Sequence, residues 1–107
     1  MITLNDFQKL DIRIGTVISV KKVPNMDKLL QFNFEVGGET RQIIAGMAAF
    51  FPEFEILIGK QMPLLLNIEP RVFKNETSHG MIVAADVSGR PIFLAPEEKI
   101  PAGSLVK

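Results

Sequence analysis

Two segments of this chain combine residue types that can bind a charged or polar ligand. The first is PNMDKLL at residues 24–30, and the second is NETSHGMIVA at residues 75–84. Both have the composition of a loop that leads directly into an apolar strand. If a small barrel brings the two loops to one rim, four side chains of different chemistry meet there: Lys28, Ser78, His79 and Met81.

Lys28 and Asn67 carry groups that suit direct contact with RNA. Leu29 and Leu30 begin the strand after Lys28, so we expect them to hold the lysine at the end of the loop. A lysine held there neutralises a phosphate and releases its counterions, although many surface lysines are simply solvated. The Asn67 amide ends an apolar strand before Pro70, where it either reads a base edge or caps the turn.

The tetrapeptide at residues 78–81 adds a second set of binding groups. The Ser78 hydroxyl can donate and accept, so it suits a phosphate, a 2′-hydroxyl or a base edge. Gly80 permits a close backbone approach, and Met81 offers a polarizable surface to a base. The alternative interpretation is a capped turn with Met81 in the core. The residues alone leave both interpretations open.

The chain has few of the residues that catalytic and metal sites require. His79 is the single histidine and there is no cysteine, so multi-histidine zinc sites and thiolate sites are excluded. The His79 imidazole is of a type used in acid–base catalysis, but no nucleophile elbow, phosphate loop or dinucleotide fingerprint accompanies it. We therefore expect no catalytic residue, no metal site and no cofactor.

Composition and charge narrow the class of protein further. Twelve basic residues balance twelve acidic residues, so any nucleic acid must bind to a local patch. The 47% hydrophobic content exceeds what a small core needs, which indicates either a subunit interface or a leucine-rich core. No long apolar run or signal peptide is present, so we expect a cytoplasmic protein with one domain over residues 1–107.

Hydrophobic alternation predicts the elements that must position these residues. Thr3 and Asn5 are candidate caps of a short N-terminal helix. Residues 11–22 alternate as a long strand, in which Gly15 indicates a bulge or bend. A second strand precedes a hairpin turn at Gly37-Gly38, and a third strand follows it.

The second half of the chain predicts a short helical or irregular segment over residues 47–55. A strand at residues 61–68, a long loop to about His79, and strands at 81–87 and 91–95 follow it. This order predicts an all-β OB-fold: a five-stranded Greek-key barrel with a short N-terminal helix and a short helix between strands 3 and 4. Such a fold would gather further cations near Lys28, and the acidic residues Glu69 and Glu76 would dilute this patch. The further cations are Lys21, Lys22, Arg41, Arg71 and Lys74.

The chain resembles the tRNA-binding domain family, which includes stand-alone structure-specific tRNA-binding proteins, the C-terminal domain of methionyl-tRNA synthetase and endothelial monocyte-activating polypeptide. The matching segments are FQKLDIRIGTVISVKKVPNMDKLL, RQIIAGMA, GKQMPLLLNIEPRVFKNETSHGMIVAA and FLAPEEKIPAGSLV. The resemblance implies a non-enzymatic OB-fold, a homodimer in the free-standing and bacterial synthetase forms, and recognition of the L-shaped outline of tRNA. It implies RNA contact at Lys28, Arg41, Asn67, Arg71, Ser78 and Met81, with Lys74 and His79 as further candidates. The implied dimer interface comprises Phe7, Leu10, Phe93, Ile100, Leu105 and Val106.

Three positions depart from the family pattern. Met26 replaces a small residue, His79 replaces a glutamine, and Glu69 places an acid before Pro70-Arg71. These departures predict modest affinity with a strong dependence on salt.

The N-terminal segment also resembles CsaA-type secretion chaperones, which are credited with peptide binding. Those proteins generally lack the DKLL and SxGM elements, so tRNA is the favoured ligand and export-related peptides are the alternative. A third alternative is an accessory subunit that docks on an aminoacyl-tRNA synthetase.

Overall fold

The computed structural model describes all residues 1–107 and begins with one short helix. Helix α1 spans Leu4–Gln8, and Thr3 is its N-cap. The Thr3 hydroxyl accepts a hydrogen bond from the Asp6 amide at 3.1 Å, and the Asp6 carboxylate accepts one from the Thr3 amide at 3.0 Å. These reciprocal bonds form a capping box. Thr3, rather than Asn5, is therefore the residue that starts the helix.

Nine strands follow, and five of them form one antiparallel sheet. Their bounds are β1 Ile12–Val23, β2 Met26–Val36, β3 Glu39–Ala45, β4 Gln61–Leu65, β5 Arg71–Phe73, β6 Glu76–Ser78, β7 Met81–Ile82, β8 Ala84–Val87 and β9 Arg90–Phe93. The main sheet has the order β3-β2-β1-β4-β7, while β5–β6 and β8–β9 are two-stranded ribbons. The long alternating segments thus form the sheet, and the all-β prediction is confirmed.

The sheet closes between β3 and the residues just before β7. The Ile44 amide donates to the Ser78 hydroxyl at 2.9 Å, and the His79 amide donates to the Gln42 carbonyl at 2.8 Å. These bonds satisfy the free edge of β3, which would otherwise expose unpaired backbone groups. The resulting five-stranded barrel fits the predicted OB-fold.

The barrel interior is filled by the apolar residues that alternate along β2. Phe32 and Phe34 are fully buried, with ring centroids 5.5 Å apart, and Leu30 lies beside them in the same core. Burying each such side chain stabilises the fold by about 1.5–3 kcal/mol. The hairpin between β2 and β3 turns at Gly37 and Gly38, whose φ angles are +60° and +94°. The hairpin turn lies where the Gly37-Gly38 pair predicts it.

Gly15 in β1 is a site of close packing and not of a bulge. A Cβ atom at this position would overlap the Leu64 side chain on the neighbouring strand β4. The bulge lies further along β1, where the pairing shifts between Val17 and Ser19. The predicted bulge at Gly15 is therefore wrong in position, because the glycine serves a tight strand contact instead.

Two 3₁₀ turns connect β3 to β4, in agreement with the short helical segment predicted there. They span Ala48–Phe50 and Phe54–Leu57, and Pro52 lies between them. The Leu57 side chain packs into the core. No helix in the structure is long and apolar enough to span a membrane.

The region between β4 and β7 differs most from the predicted pattern. Strand β4 ends at Leu65 rather than at residue 68, and the expected loop contains the β5–β6 ribbon. We call residues 71–78 the arm. Its turn is made possible by Lys74, which adopts a left-handed φ of +55°. The strand predicted at residues 81–87 is interrupted at Val83, so it forms β7 and β8.

The last residues of the chain lie beside the start of β1. The Ile14 amide donates to the Ser104 carbonyl at 2.9 Å, and the Val106 amide donates to the Ile12 carbonyl at 2.8 Å. Leu105 forms a β-bridge with Arg13. These bonds place the C-terminal segment close to the end of α1, because β1 begins four residues after that helix ends.

Candidate nucleic-acid interface

A polar relay fixes the arm to the outside of the barrel. The Gln31 side-chain amide donates to the Gln42 side-chain oxygen at 2.7 Å. The Gln42 amide in turn donates to the Glu76 carboxylate at 3.0 Å and to the Thr77 carbonyl at 2.9 Å. Gln31 is buried, and Gln42 on β3 links its amide nitrogen to the polar groups of the arm. The relay therefore sets where the arm lies relative to β2 and β3.

Ser78 belongs to the connection between the arm and the sheet. Ser78 is only 2% exposed. Its hydroxyl accepts a hydrogen bond from the Ile44 amide and donates one to the Gly80 carbonyl at 3.3 Å. It lines neither of the cavities described below. The Ser78 side chain is therefore buried and does not meet Lys28 at an exposed rim, as the two sequence segments had led us to expect. The physical reason is the edge of β3, whose buried amide requires an acceptor.

Arg41 and Asn67 also direct their polar groups into the protein. Arg41 Nη1 donates to the Leu66 carbonyl at 2.9 Å and to the His79 carbonyl at 3.1 Å, while Nε pairs with Glu39 at 3.1 Å. Arg41 thus joins the end of β4 to the segment before β7.

The Asn67 side chain ties the end of β4 to the N-terminal region. Its Nδ2 donates to the Lys9 carbonyl at 2.7 Å, and its Oδ1 accepts from the Asp11 amide at 2.8 Å. Both ends of the amide are therefore occupied by backbone groups. The two roles considered for Asn67 were base reading and capping of the turn, and the structure shows instead a tie to the N-terminal backbone.

Gly80 fixes the position of Met81. Its φ is +140°, and an added Cβ would lie 3.0 Å from Ile43 Cδ1 and 3.1 Å from the Leu65 carbonyl oxygen. A side chain there would be strained and crowded. Met81 follows at the start of β7 and is 42% exposed. Met81 is therefore a surface residue rather than a core residue.

The arm, β7 and the end of β3 enclose a cavity of about 260 Å³, which we call the apolar cavity. Eight of its eleven lining residues are hydrophobic. The Arg71 guanidinium lies 4.9 Å from the Phe73 ring centroid, at a distance typical of a cation–π contact. The cavity walls include Leu29, Ile68, Arg71, Phe73 and Met81.

A second cavity of about 480 Å³ adjoins the first and carries the lysines, so we call it the lysine cavity. It is lined by residues 25–29 together with Phe73 and Lys74. Leu29 and Phe73 line both cavities, so the two are contiguous. The first sequence segment is a tight turn at Pro24-Asn25 followed by β2, so Lys28 lies within the strand and not in a loop.

The three predicted cations that line the two cavities have no ion-pair partner. The ion pairs in the structure are Lys9–Asp6, Arg13–Asp11 and Arg41–Glu39. Lys28, Arg71 and Lys74 are exposed and take part in none of them. Asp27 is the one acidic residue that lines the lysine cavity. These three cations are consequently available to an anionic ligand.

The remaining predicted residues fall outside the two cavities. His79 is exposed, but its backbone is held by Gln42 and Arg41, and its side chain lines neither cavity. Lys21 and Lys22 are exposed on β1 and also line neither. Conversely, Ile68 and Phe73 were not predicted, although apolar residues in a loop-like segment were a usable signal for them. No group of acidic or histidine side chains is placed to hold a metal.

The six residues expected at a dimer interface divide into two groups. Leu10 is 43% exposed and Leu105 is 52% exposed, and both lie where the C-terminal segment approaches α1. Phe7 and Val106 are half-buried in the same region. Phe93 instead stacks on Phe51 with ring centroids 5.0 Å apart, and the Ile100 backbone bonds to the Gln61 side chain. The second group is thus packed within its own chain.

Comparison with known proteins decides the family. The model of the putative tRNA-binding domain matches residues 12–105. The chain belongs to the tRNA-binding domain family. Methionine–tRNA ligase of Parabacteroides distasonis is 44% identical over 107 residues, which cover 99% of this chain and 16% of the ligase. The chain therefore spans about 16% of the length of the curated relatives that it matches.

Two solved structures share the fold over the entire chain. A MetRS-related protein of Pyrococcus horikoshii has 28% identity and a TM-score of 0.91, with 100% of this chain and 98% of that chain covered. The chaperone CsaA of Bacillus anthracis has 25% identity and a TM-score of 0.86, with 100% and 99% covered. Both resemblances stated from the sequence are therefore found, and the predicted family is confirmed.

Proposed function

We propose that this tRNA-binding domain binds folded tRNA through the rim formed by the two adjoining cavities and has no enzymatic activity of its own. The observation that carries the proposal is that Leu29 and Phe73 join the apolar cavity to the lysine cavity. Unpaired cations therefore lie next to exposed apolar surface. Because the formal net charge is zero, this local cluster must supply the attraction to phosphate.

Recognition of tRNA shape rather than sequence follows from which polar groups remain free. Three of the predicted RNA contacts, Arg41, Asn67 and Ser78, are bonded within the protein. The groups that remain are cations, which contact phosphates, and apolar walls, which accept any base. A rim of this kind selects RNA by the spacing of its backbone. The L-shaped outline of tRNA is the shape that we propose it selects.

We further propose that two copies associate through the exposed apolar residues near α1. Helix α1 has no buried residue, and Ile2, Leu4, Leu10 and Leu105 are all exposed. A dimer would present two rims to one tRNA, and the second contact would then be intramolecular and raise the affinity. The matching ligases suggest that an aminoacyl-tRNA synthetase is the enzyme that such a domain serves, in the cytoplasm.

Peptide binding is the second candidate function. The chain shares its fold with the chaperone CsaA, and the apolar cavity is also suited to an apolar side chain. Competition binding distinguishes the two candidates. The affinity of the chain is measured at two salt concentrations for four ligands: folded tRNA, duplex DNA, single-stranded RNA and an unfolded apolar peptide. We expect folded tRNA to bind most tightly and to weaken most with salt. Tighter binding of the peptide would contradict the proposal.

Lys28→Ala, with Lys60→Ala as its control, tests the site itself. Lys28→Ala should weaken the binding of all tRNAs alike. It should also reduce the slope of log Kd against log salt by about 1, which corresponds to one ion fewer released. Lys60 is exposed but lines neither cavity of the rim, so its replacement should leave the slope closer to that of the wild type. Equal effects of the two variants would remove Lys28 from the site.

A further inference from the structure

We infer that the apolar cavity holds the base of one unstacked nucleotide of the bound RNA. The cavity volume of about 260 Å³ lies below the roughly 300–1,000 Å³ of pockets that enclose drug-sized ligands. It therefore suits a single ring system better than a folded segment or several side chains. Because it rests on the proposed function, this inference names the part of the tRNA that the rim contacts.

The cavity walls have the chemistry that unstacked bases bind. Met81 and Ile68 present exposed apolar surface, and Phe73 presents an aromatic ring. The Arg71 guanidinium is held against that ring at 4.9 Å from its centroid. Proteins bind splayed bases by stacking them on aromatic rings and arginine planes. Such stacking tolerates any base.

Charge favours a nucleotide over a peptide side chain as the occupant. Arg71 lines the apolar cavity, and Lys28 and Lys74 line the cavity that adjoins it across Leu29 and Phe73. A base in the apolar cavity carries flanking phosphates on the same strand, and these can reach the adjoining cations. A neutral apolar peptide gains nothing from three unpaired cations. The occupant is thus an unpaired nucleotide whose backbone follows the path from Arg71 to Lys28.

Chemical probing of a tRNA transcript at saturating protein tests the inference. Dimethyl sulfate reports exposed base edges, and hydroxyl radicals report the protected backbone. With the wild-type chain we expect one or a few unpaired nucleotides to lose base reactivity. With Met81→Ala the same nucleotides should regain it while the backbone footprint persists. Base protection that is identical in Met81→Ala, or a backbone footprint without base protection, would overturn the inference.

Binding measurements complete the test and separate it from the proposed function. Met81→Ala should weaken tRNA binding about 5- to 150-fold, the range of one lost base stack, with an unchanged salt slope. Met81→Leu should restore most of the affinity, and Ile56→Ala is the control because Ile56 is exposed outside both cavities. If Met81→Ala weakens the binding of an apolar peptide but not the binding of tRNA, a base is not the occupant of the apolar cavity. If the wild type binds no folded tRNA, both proposals fail together.

Discussion

At the scale of a single residue, replacement of Ser78 distinguishes a structural role of its hydroxyl from a contact with RNA. Ser78→Ala leaves the buried Ile44 amide without an acceptor, which should reduce the free energy of unfolding by about 1–3 kcal/mol. Urea denaturation measures this loss. Affinity for tRNA should fall through displacement of Met81, with the salt slope unchanged. A variant of wild-type stability that has lost tRNA affinity would show instead that the hydroxyl contacts RNA.

The sequence allowed the types of the candidate site residues to be predicted better than the directions of their side chains. Lys28, Arg71, Lys74 and Met81 lie where the two segments were expected to meet. Arg41 and Ser78 bond to backbone groups that meet only when β3, β4 and the arm come together, and Asn67 bonds to the distant backbone of Lys9 and Asp11. Such pairings connect distant parts of the chain. Local composition therefore cannot distinguish a bonded serine from a free one.

At the scale of elements, the arm should lose its fixed position when the glutamine relay is cut. Gln42→Ala removes the partners of Gln31, Glu76 and Thr77. We expect faster hydrogen exchange over residues 71–78 and weaker tRNA binding, because Phe73 and Arg71 are then less well ordered. Asn33→Ala is the control, since Asn33 lies on β2 and bonds to Ser19 rather than to the arm. Unchanged exchange in Gln42→Ala would contradict the role of the relay.

The capping box of α1 predicts how that helix depends on pH. Hydrogen bonds from the Thr3 backbone and side chain, with help from Lys9, lower the pKa of Asp6 below its ordinary value of 3.8. A lowered pKa means that the cap contributes stability above pH 3.8 and loses it as the pH falls through the folded-state value. Carboxyl NMR should show a midpoint below 3.8, which Thr3→Ala raises. A midpoint at or above 3.8 in the wild type would contradict the capping geometry.

Elements with strong periodicity were predicted well, and those that depend on partners were not. The alternation of β2 around Phe32 and Phe34 reflects burial on one face, and it is visible in the sequence. The arm has strands of only three residues, so its pattern is too short to recognise. Its ribbon is bonded to β3 through Gln42, which also accepts a hydrogen bond from Gln31. This contact has no counterpart in local sequence.

At the scale of the whole molecule, the exposed apolar surface near α1 predicts self-association. Leu10→Asp or Leu105→Asp should convert a dimer to a monomer, because a carboxylate would be buried without a partner in the interface. Light scattering at micromolar concentration measures the mass. Ile56→Asp, another exposed apolar position, should leave the mass unchanged. A wild-type chain that is monomeric at this concentration would contradict the dimer.

The five methionines provide the most direct measurement of where tRNA binds. Met81 lines the apolar cavity at the surface, Met26 lines the lysine cavity, and Met62 is buried in the core. Methyl NMR of methionine-labelled protein during titration with folded tRNA should show large shifts or broadening at Met81 and Met26, and much smaller changes at Met62. If tRNA binds while the Met81 and Met26 signals stay unchanged, the rim formed by the two cavities is not the tRNA site.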